Sequence, residues 1–268
     1  DPQHGPHASR QAPCAALAAV TFPLPAPGTV LATQRPDLDS VGAMAVLRLR
    51  AEGWRVDAAA RGRIARIDRM DGFRKGPWPG PRPLPSSIED LLSDDDGADL
   101  AAIAGAAMDR SVGLDERVCH VAQWIVTGEA PAARLRAGDD RARRLLASLA
   151  HGATRVERTA CPALATVVSL EPGALGLGYR LAPVVIALNP AFSFPGGGEG
   201  RKFTIAQYAS GHADMNAAAA SLNAIEPGWG GQANIKGSPF PGGSSLDLAT
   251  VILTVSGHIC ETNHEVQA

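Results

Sequence analysis

Residues 28–47, GTVLATQRPDLDSVGAMAVL, decide how the rest of the chain is read. The short apolar run Thr29 to Thr33 has the character of a buried strand. The chain then turns through Arg35-Pro36 and places two carboxylates two residues apart, Asp37 and Asp39. Ser40 is a helix-capping residue type, and Val41 to Leu47 is an apolar, helix-like run. In an extended segment residues i and i+2 point to the same side, so both carboxylates are expected to reach one point beyond the strand end. Two hard oxygen ligands suit Mg²⁺ or Mn²⁺ better than zinc. The structural alternative, with no metal, is that Asp39 helps cap the helix and Asp37 is solvated.

The string RPDLDSVGAMAVL resembles the first motif of the DHH phosphoesterase superfamily, in which a strand ends in His-x-Asn-Pro-Asp-x-Asp-Ser/Ala and the aspartates bind catalytic manganese. Pro36, Asp37, Asp39 and Ser40 match it. Thr33 stands in place of the histidine and Arg35 in place of the asparagine.

Outward from this stretch, Val41 to Glu52 is expected to be a helix closed by Gly53, and Trp54 to Ala59 a second strand. Strand, helix, strand makes a βαβ unit and hence a parallel sheet with a right-handed crossover. Ligands of such sheets sit at the carboxyl ends of the strands, where Asp37 and Asp39 fall. Asp68 and Asp71, three apart, share a face if they lie on a helix. By the resemblance, Asp68-Arg69-Met70 corresponds to a remnant of the Asp-His-His motif. The other reading pairs these acids with neighbouring arginines. Gly76 to Pro85 is rich in proline and irregular. Residues 87–150 read as helices: Ile88 to Leu92, Leu100 to Met108, Glu116 to Thr127 and Arg134 to Leu149, with Asp94-Asp95-Asp96 a solvated acidic loop. Asp109, after the Leu100 helix, is a further candidate ligand, and His120 is read as structural. The domain junction is expected near His151-Gly152-Ala153.

Beyond the junction, Ala163 to Leu170, Pro183 to Leu188 and Phe203 to Tyr208 read as strands, the last two joined by the glycine-rich loop 194–200 as a hairpin. That loop lacks the Lys-Ser/Thr of a nucleotide-binding P-loop. After Gly211, His212 to Leu222 is alanine-rich and helix-forming. It leads into Glu226-Pro-Gly-Trp-Gly-Gly-Gln-Ala-Asn-Ile-Lys-Gly-Ser238. Glycines at this density make tight turns whose amides are open to an anion. Ser244-Ser245 are expected to cap a last helix through Ile259, with His258 near its C-terminal end in a structural role.

This second half resembles the DHH-associated C-terminal domain, in which a helix beginning Val-Asp-Val-Asn runs into Gly-Gly-Gly-His-x-x-Ala-Ala-Gly, a loop that grips the phosphate end of the substrate. Asp214, Asn216, Gly228, Gly230, Gly231 and Gly237 fit that order; Gln232 replaces the histidine, and Ile235-Lys236 replace the alanines. The resemblance implies an α/β protein in three parts: an N-terminal arm (1–27), a parallel-sheet DHH-like metal-binding domain (28–150), and a smaller α/β substrate-binding domain (151–268), with an active-site cleft between the last two. It implies a phosphohydrolase or phosphodiesterase acting on a nucleotide or short single-stranded oligonucleotide. Asp37, Asp39 and Asp68, with Asp71, would hold one or two Mn²⁺ or Mg²⁺ ions, while Gly228, Gly230, Gly231, Gln232 and Lys236 would bind substrate. The competing reading is a scaffold that has lost catalysis and binds a phosphate-bearing ligand or a protein partner.

Composition narrows the classes. The formal charge of −2 over 268 residues gives no whole-chain basic footprint for duplex nucleic acid. No apolar run approaches the roughly 20 residues that span a bilayer, and no basic start leads into a signal-type apolar segment. Aromatics make up only 4% of the chain, so its core must be aliphatic. Cys14, Cys119, Cys161 and Cys260 form no C-x-x-C pair, which reads as reduced thiols in a cytoplasmic protein; a homodimer is compatible with all of this. In the N-terminal arm, His4 and His7 are read as part of a mobile tail, and Ala15 to Val20 as a short apolar turn docked on the body.

Overall fold

The computed structural model describes residues 13–33, 36–72, 76–93, 97–195 and 198–260. His4, His7, Arg35, Asp94-Asp95-Asp96 and Gly196-Gly197 lie outside the described residues. The protein is mixed α/β and divides into two compact units, Asp1–Gly72 with Glu89–Ala142, and Phe73–Ile88 with Arg143–Ala268. The division falls inside a helix, nine residues before the junction expected at His151, and the proline-rich segment goes with the second unit. Among the described residues no helix is long and apolar enough to cross a membrane.

The first unit is helical: α1 (Ala15–Ala18), α2 (Leu38–Ala51), α3 (Ala58–Asp71), α4 (Ile88–Leu92), α5 (Ala98–Met108), α6 (Leu114–Thr127) and α7 (Ala132–Ala150), the last running on into the second unit. The expected strands at Thr29–Thr33 and Trp54–Ala59 are absent among its described residues, so the N-terminal parallel sheet is not formed. The reason is local. Asp57 accepts a hydrogen bond from the Ala60 amide (2.7 Å) and caps α3 just where Ala58-Ala59-Ala60 begins. An N-cap followed by three alanines outcompetes the extended reading. Without a second strand, Thr29–Thr33 has no ladder to join.

Val41, Ala45, Ile64, Ile67, Ile103, Val121 and Ile125, packed around Trp124, form the largely aliphatic core of this unit. Arg66 grips both oxygens of Asp99 (2.8 and 2.7 Å), and the Trp124 indole N–H donates to the same carboxylate (3.0 Å), tying α3, α5 and α6 together. The expected docking of the Ala15 region is present. Gly42 on α2 makes room for it, since a Cβ there would lie 3.1 Å from Ala16 and 3.2 Å from Ile67.

The second unit carries a five-stranded, mostly antiparallel sheet of β1 (Arg155–Arg158), β2 (Leu164–Val168), β3 (Val184–Ser193), β4 (Glu199–Gln207) and β5 (Ile235–Gly237), in that spatial order. Only β2 and β3 run parallel, joined through the short α8 (Leu175–Gly178). The β3–β4 hairpin is the one read from the sequence. Alternation along the strands puts Val184, Ile186, Phe203 and Ile205 on one face, against α9 (Met215–Ile225) and α10 (Leu248–Ser256). α10 is capped by Asp247, whose side chain accepts from the Thr250 amide (2.7 Å), and not by Ser244-Ser245. The proline-rich segment crosses the surface beside α8: the Trp78 indole donates to the Tyr179 carbonyl (2.7 Å) and Arg180 to that of Pro83 (2.8 Å).

Candidate functional site

In the first unit the acids of the motif are built into helix starts. α2 begins at Leu38, earlier than the sequence suggested, so Asp37 is its N-cap and Asp39 lies in its first turn. Helical geometry separates them by about 200°, and the convergence expected of an extended chain does not occur. Asp37 is exposed and closes a capping box with Ser40: its carboxylate accepts from the Ser40 amide (2.8 Å) and hydroxyl (2.7 Å) while Ser40 Oγ accepts from the Asp37 amide (3.1 Å).

Asp39 and Asp68, by contrast, are both buried, and both reach the start of α1. Asp39 accepts from the Ala16 amide (2.8 Å) and Asp68 from the Cys14 amide (2.7 Å). Two carboxylates, from α2 and α3, thus satisfy first-turn amides of α1 that the helix cannot satisfy itself. Burial, and then the neighbouring charge of Asp39, push the Cys14 thiol well above its ordinary range, so it stays protonated. Asp71 ends α3, and Asp109 is held by Arg134 and Ser111. Among the described residues no group of three or more His, Cys, Asp or Glu side chains is placed to hold a metal ion.

In the second unit the glycine turn lies between the end of α9 and the start of β5. Asp214 caps α9, accepting from the amides of Asn216 (3.1 Å) and Ala217 (3.0 Å). At the other end of α9, Asn223 gathers the chain: its carbonyl oxygen accepts from Gly228 (2.7 Å) and Trp229 (2.9 Å), and its amide donates to the Trp229 carbonyl (2.7 Å). Trp229 is buried beside Phe203 and donates to Glu226 (3.0 Å). Burial alone would raise the Glu226 carboxyl. Its bonds from Ser244, the Ser245 amide and hydroxyl, and Trp229 outweigh that and hold it below the usual range.

Two anchors bracket the tip. Gly230 and Gly237 exchange both backbone bonds (3.1 and 2.7 Å), and Asn234 is fixed by Gln207 and Ser210. Gly231 has φ +142°, and a Cβ on it would lie 2.4 Å from the Ile235 carbonyl, so the tip requires glycine there. Between the anchors, the amides of Gly231, Gln232 and Ala233 have no acceptor among the described residues, and neither does the Gln232 side chain. Lys236 lies buried beneath, its ammonium donating to the Gly231 carbonyl (3.0 Å) and to Asn216 (2.9 Å).

The sequence reading missed Asn223 and Asn234, the side chains that shape the turn. An asparagine near the end of an alanine-rich helix, followed by Pro-Gly, was the available signal. No protein-family model matches the chain, and comparison with curated proteins finds no match.

Proposed function

We propose that this protein is a DHH-like module that binds a small phosphate-bearing ligand, such as a nucleotide, at the tip 230–233 of its second unit. The observation that carries this reading is the run of three consecutive amides, Gly231 to Ala233, held open between two anchors over the buried Lys236 charge. Converging amides around a glycine make an anion-binding concavity, and a nearby cation deepens it. Gln232 can hydrogen-bond a phosphate or a base but cannot act as acid or base near neutral pH.

Binding is favoured over hydrolysis by the fate of the first motif. Asp39 and Asp68 are engaged by the amides of Ala16 and Cys14, and Asp37 by Ser40. Catalysis through Mn²⁺ or Mg²⁺ would require the start of α1 and Ser40 to give those bonds up.

Calorimetric titration of the full chain with AMP and with orthophosphate tests the proposal. Saturable binding is expected, unchanged by EDTA and weakened about tenfold when Ala233→Pro removes one donor, the loss of roughly one good hydrogen bond to a charged group. No binding of either probe would sink the reading. A rise in melting temperature with Mn²⁺, together with phosphate release from AMP, would replace it with the hydrolase.

A further inference from the structure

The face of the sheet turned away from α9 and α10 carries a second feature, remote in sequence from the glycine turn. The segment Glu171 to Leu175 borders, together with β2, β3 and β4, an open recess of about 210 Å³. That is smaller than the ~300–1,000 Å³ of sites for drug-sized ligands, so its occupant must be compact.

The floor follows from strand register. Val167 pairs with Ala187 and Ala187 with Thr204, while Asn189 pairs with Lys202 one step further along. Because alternate residues share a face, these five side chains line one surface. The small Ala187, between the larger Val167 and Thr204, leaves the hollow. The chain bulges between Asn189 and Phe192, which carries Phe192 to the rim. Bulges commonly re-aim a side chain beside a site.

Three side chains with donor groups, Lys202, Thr204 and Asn189, line the recess. The Lys202 ammonium sits 4.0 Å from the centroid of the Phe192 ring, which holds it in place, and has no carboxylate partner among the described residues. Thr204 makes no side-chain hydrogen bond there, and the Asn189 side-chain NH₂ is likewise unengaged, its oxygen accepting from the Ala191 amide (3.0 Å). Glu171 is the one acid on the lining, and Arg144 lies 3.9 Å from it. Ser169 is committed to Thr154 (2.7 Å) and to the Glu171 amide (3.0 Å), which fixes the overlying turn. Among the described residues the charges therefore leave one unmatched cation, with a hydroxyl and an amide on the same lining, over an apolar floor.

We infer that this recess is a binding site for a small organic carboxylate with a compact apolar body: the carboxylate on Lys202, Thr204 and Asn189, the body on Val167, Ala187 and Phe192. A single cation with two neutral donors matches a monoanion.

The test is ligand-observed NMR on the full chain with butyrate and benzoate as probes. Saturable binding below about 10 mM is expected. Lys202→Met should weaken it at least about tenfold and Thr204→Val about threefold, while Lys202→Arg retains it. Ala187→Phe should abolish it by filling the floor; should that variant not fold, Lys202→Met and Thr204→Val decide the matter alone. No saturable signal with either probe, signals that survive Lys202→Met, or displacement of butyrate by equimolar orthophosphate would each overturn the assignment.

Discussion

The two units treat backbone amides in opposite ways. In the first, carboxylates reach across from neighbouring helices to the open end of α1, and the Cys14 and Ala16 amides are met by Asp68 and Asp39. In the second, the chain is pinned on both sides of Gly231 to Ala233, and three amides in a row have no acceptor among the described residues. Both stretches are expected from the sequence to serve one ligand site. The lesson is that residue types and their spacing do not fix a role. A buried acid is stabilised by whichever donors surround it, and here the donors nearest the first acids belong to the chain itself.

The largest expected effect tests that contrast at Asp39. Asp39→Ala leaves a buried amide without an acceptor and should cost about 2–3 kcal/mol, read from urea denaturation. Asp39→Asn keeps an oxygen for the Ala16 amide and should cost less than about 1 kcal/mol. Equal losses in the two variants would mean that the negative charge, and not hydrogen bonding, is what the site needs. Stabilisation of the unaltered protein by Mn²⁺ that disappears in Asp39→Asn would break the comparison outright.

How much of this was legible beforehand depends on range. Helices α2, α5, α6 and α7, the β3–β4 hairpin and the succession of α9 and the glycine turn follow from apolar periodicity and turn chemistry, which are local. The failure in the first unit was also local in origin. Thr29–Thr33 has the composition of a strand, but a strand is stable only with a partner, and its expected partner was converted to helix by Asp57 and the alanines after it. That shift moved Asp37 and Asp39 from extended to helical geometry. The bond from Cys14 to Asp68 spans 54 residues, and no spacing rule reaches that far. In the second unit the glycine turn was readable because glycine reports backbone conformation directly, whereas the Lys202 recess depends on cross-strand register.

A middling effect sharpens the contrast within the turn. Gly231→Ala forces a Cβ to 2.4 Å from the Ile235 carbonyl at φ +142°, and strain of this kind should cost about 1–3 kcal/mol. Gly230→Ala meets nothing within 4 Å and should stay within about 0.5 kcal/mol. Near-equal melting temperatures for the two variants would show that the tip is not held in this conformation.

The smallest effects are set by pH, and they should fall on different units from different sides. Burial lowers the His212 pKa below 6.5, so the unfolded chain binds the proton more readily, and stability present above 6.5 is lost as pH falls through the folded value. Glu226 adds a further loss below 4.5 in the same unit. In the first unit Asp99, lowered by its bonds from Arg66, acts only below 3.8. The alkaline side reverses the order. Cys14 is raised by burial and by Asp39, so the first unit loses stability as pH rises above 9.0, whereas Tyr179, raised by burial, acts on the second unit only above 10.0. Hydrogen exchange, converted to opening free energies, separates the two regions. Mild acid should loosen amides around Ile205 and Leu222 before those around Val121, and mild alkali should do the opposite. His212→Asn should remove the first trend and Cys14→Ala the second; if both regions instead open together at either extreme, these two groups do not set the acid and alkaline limits.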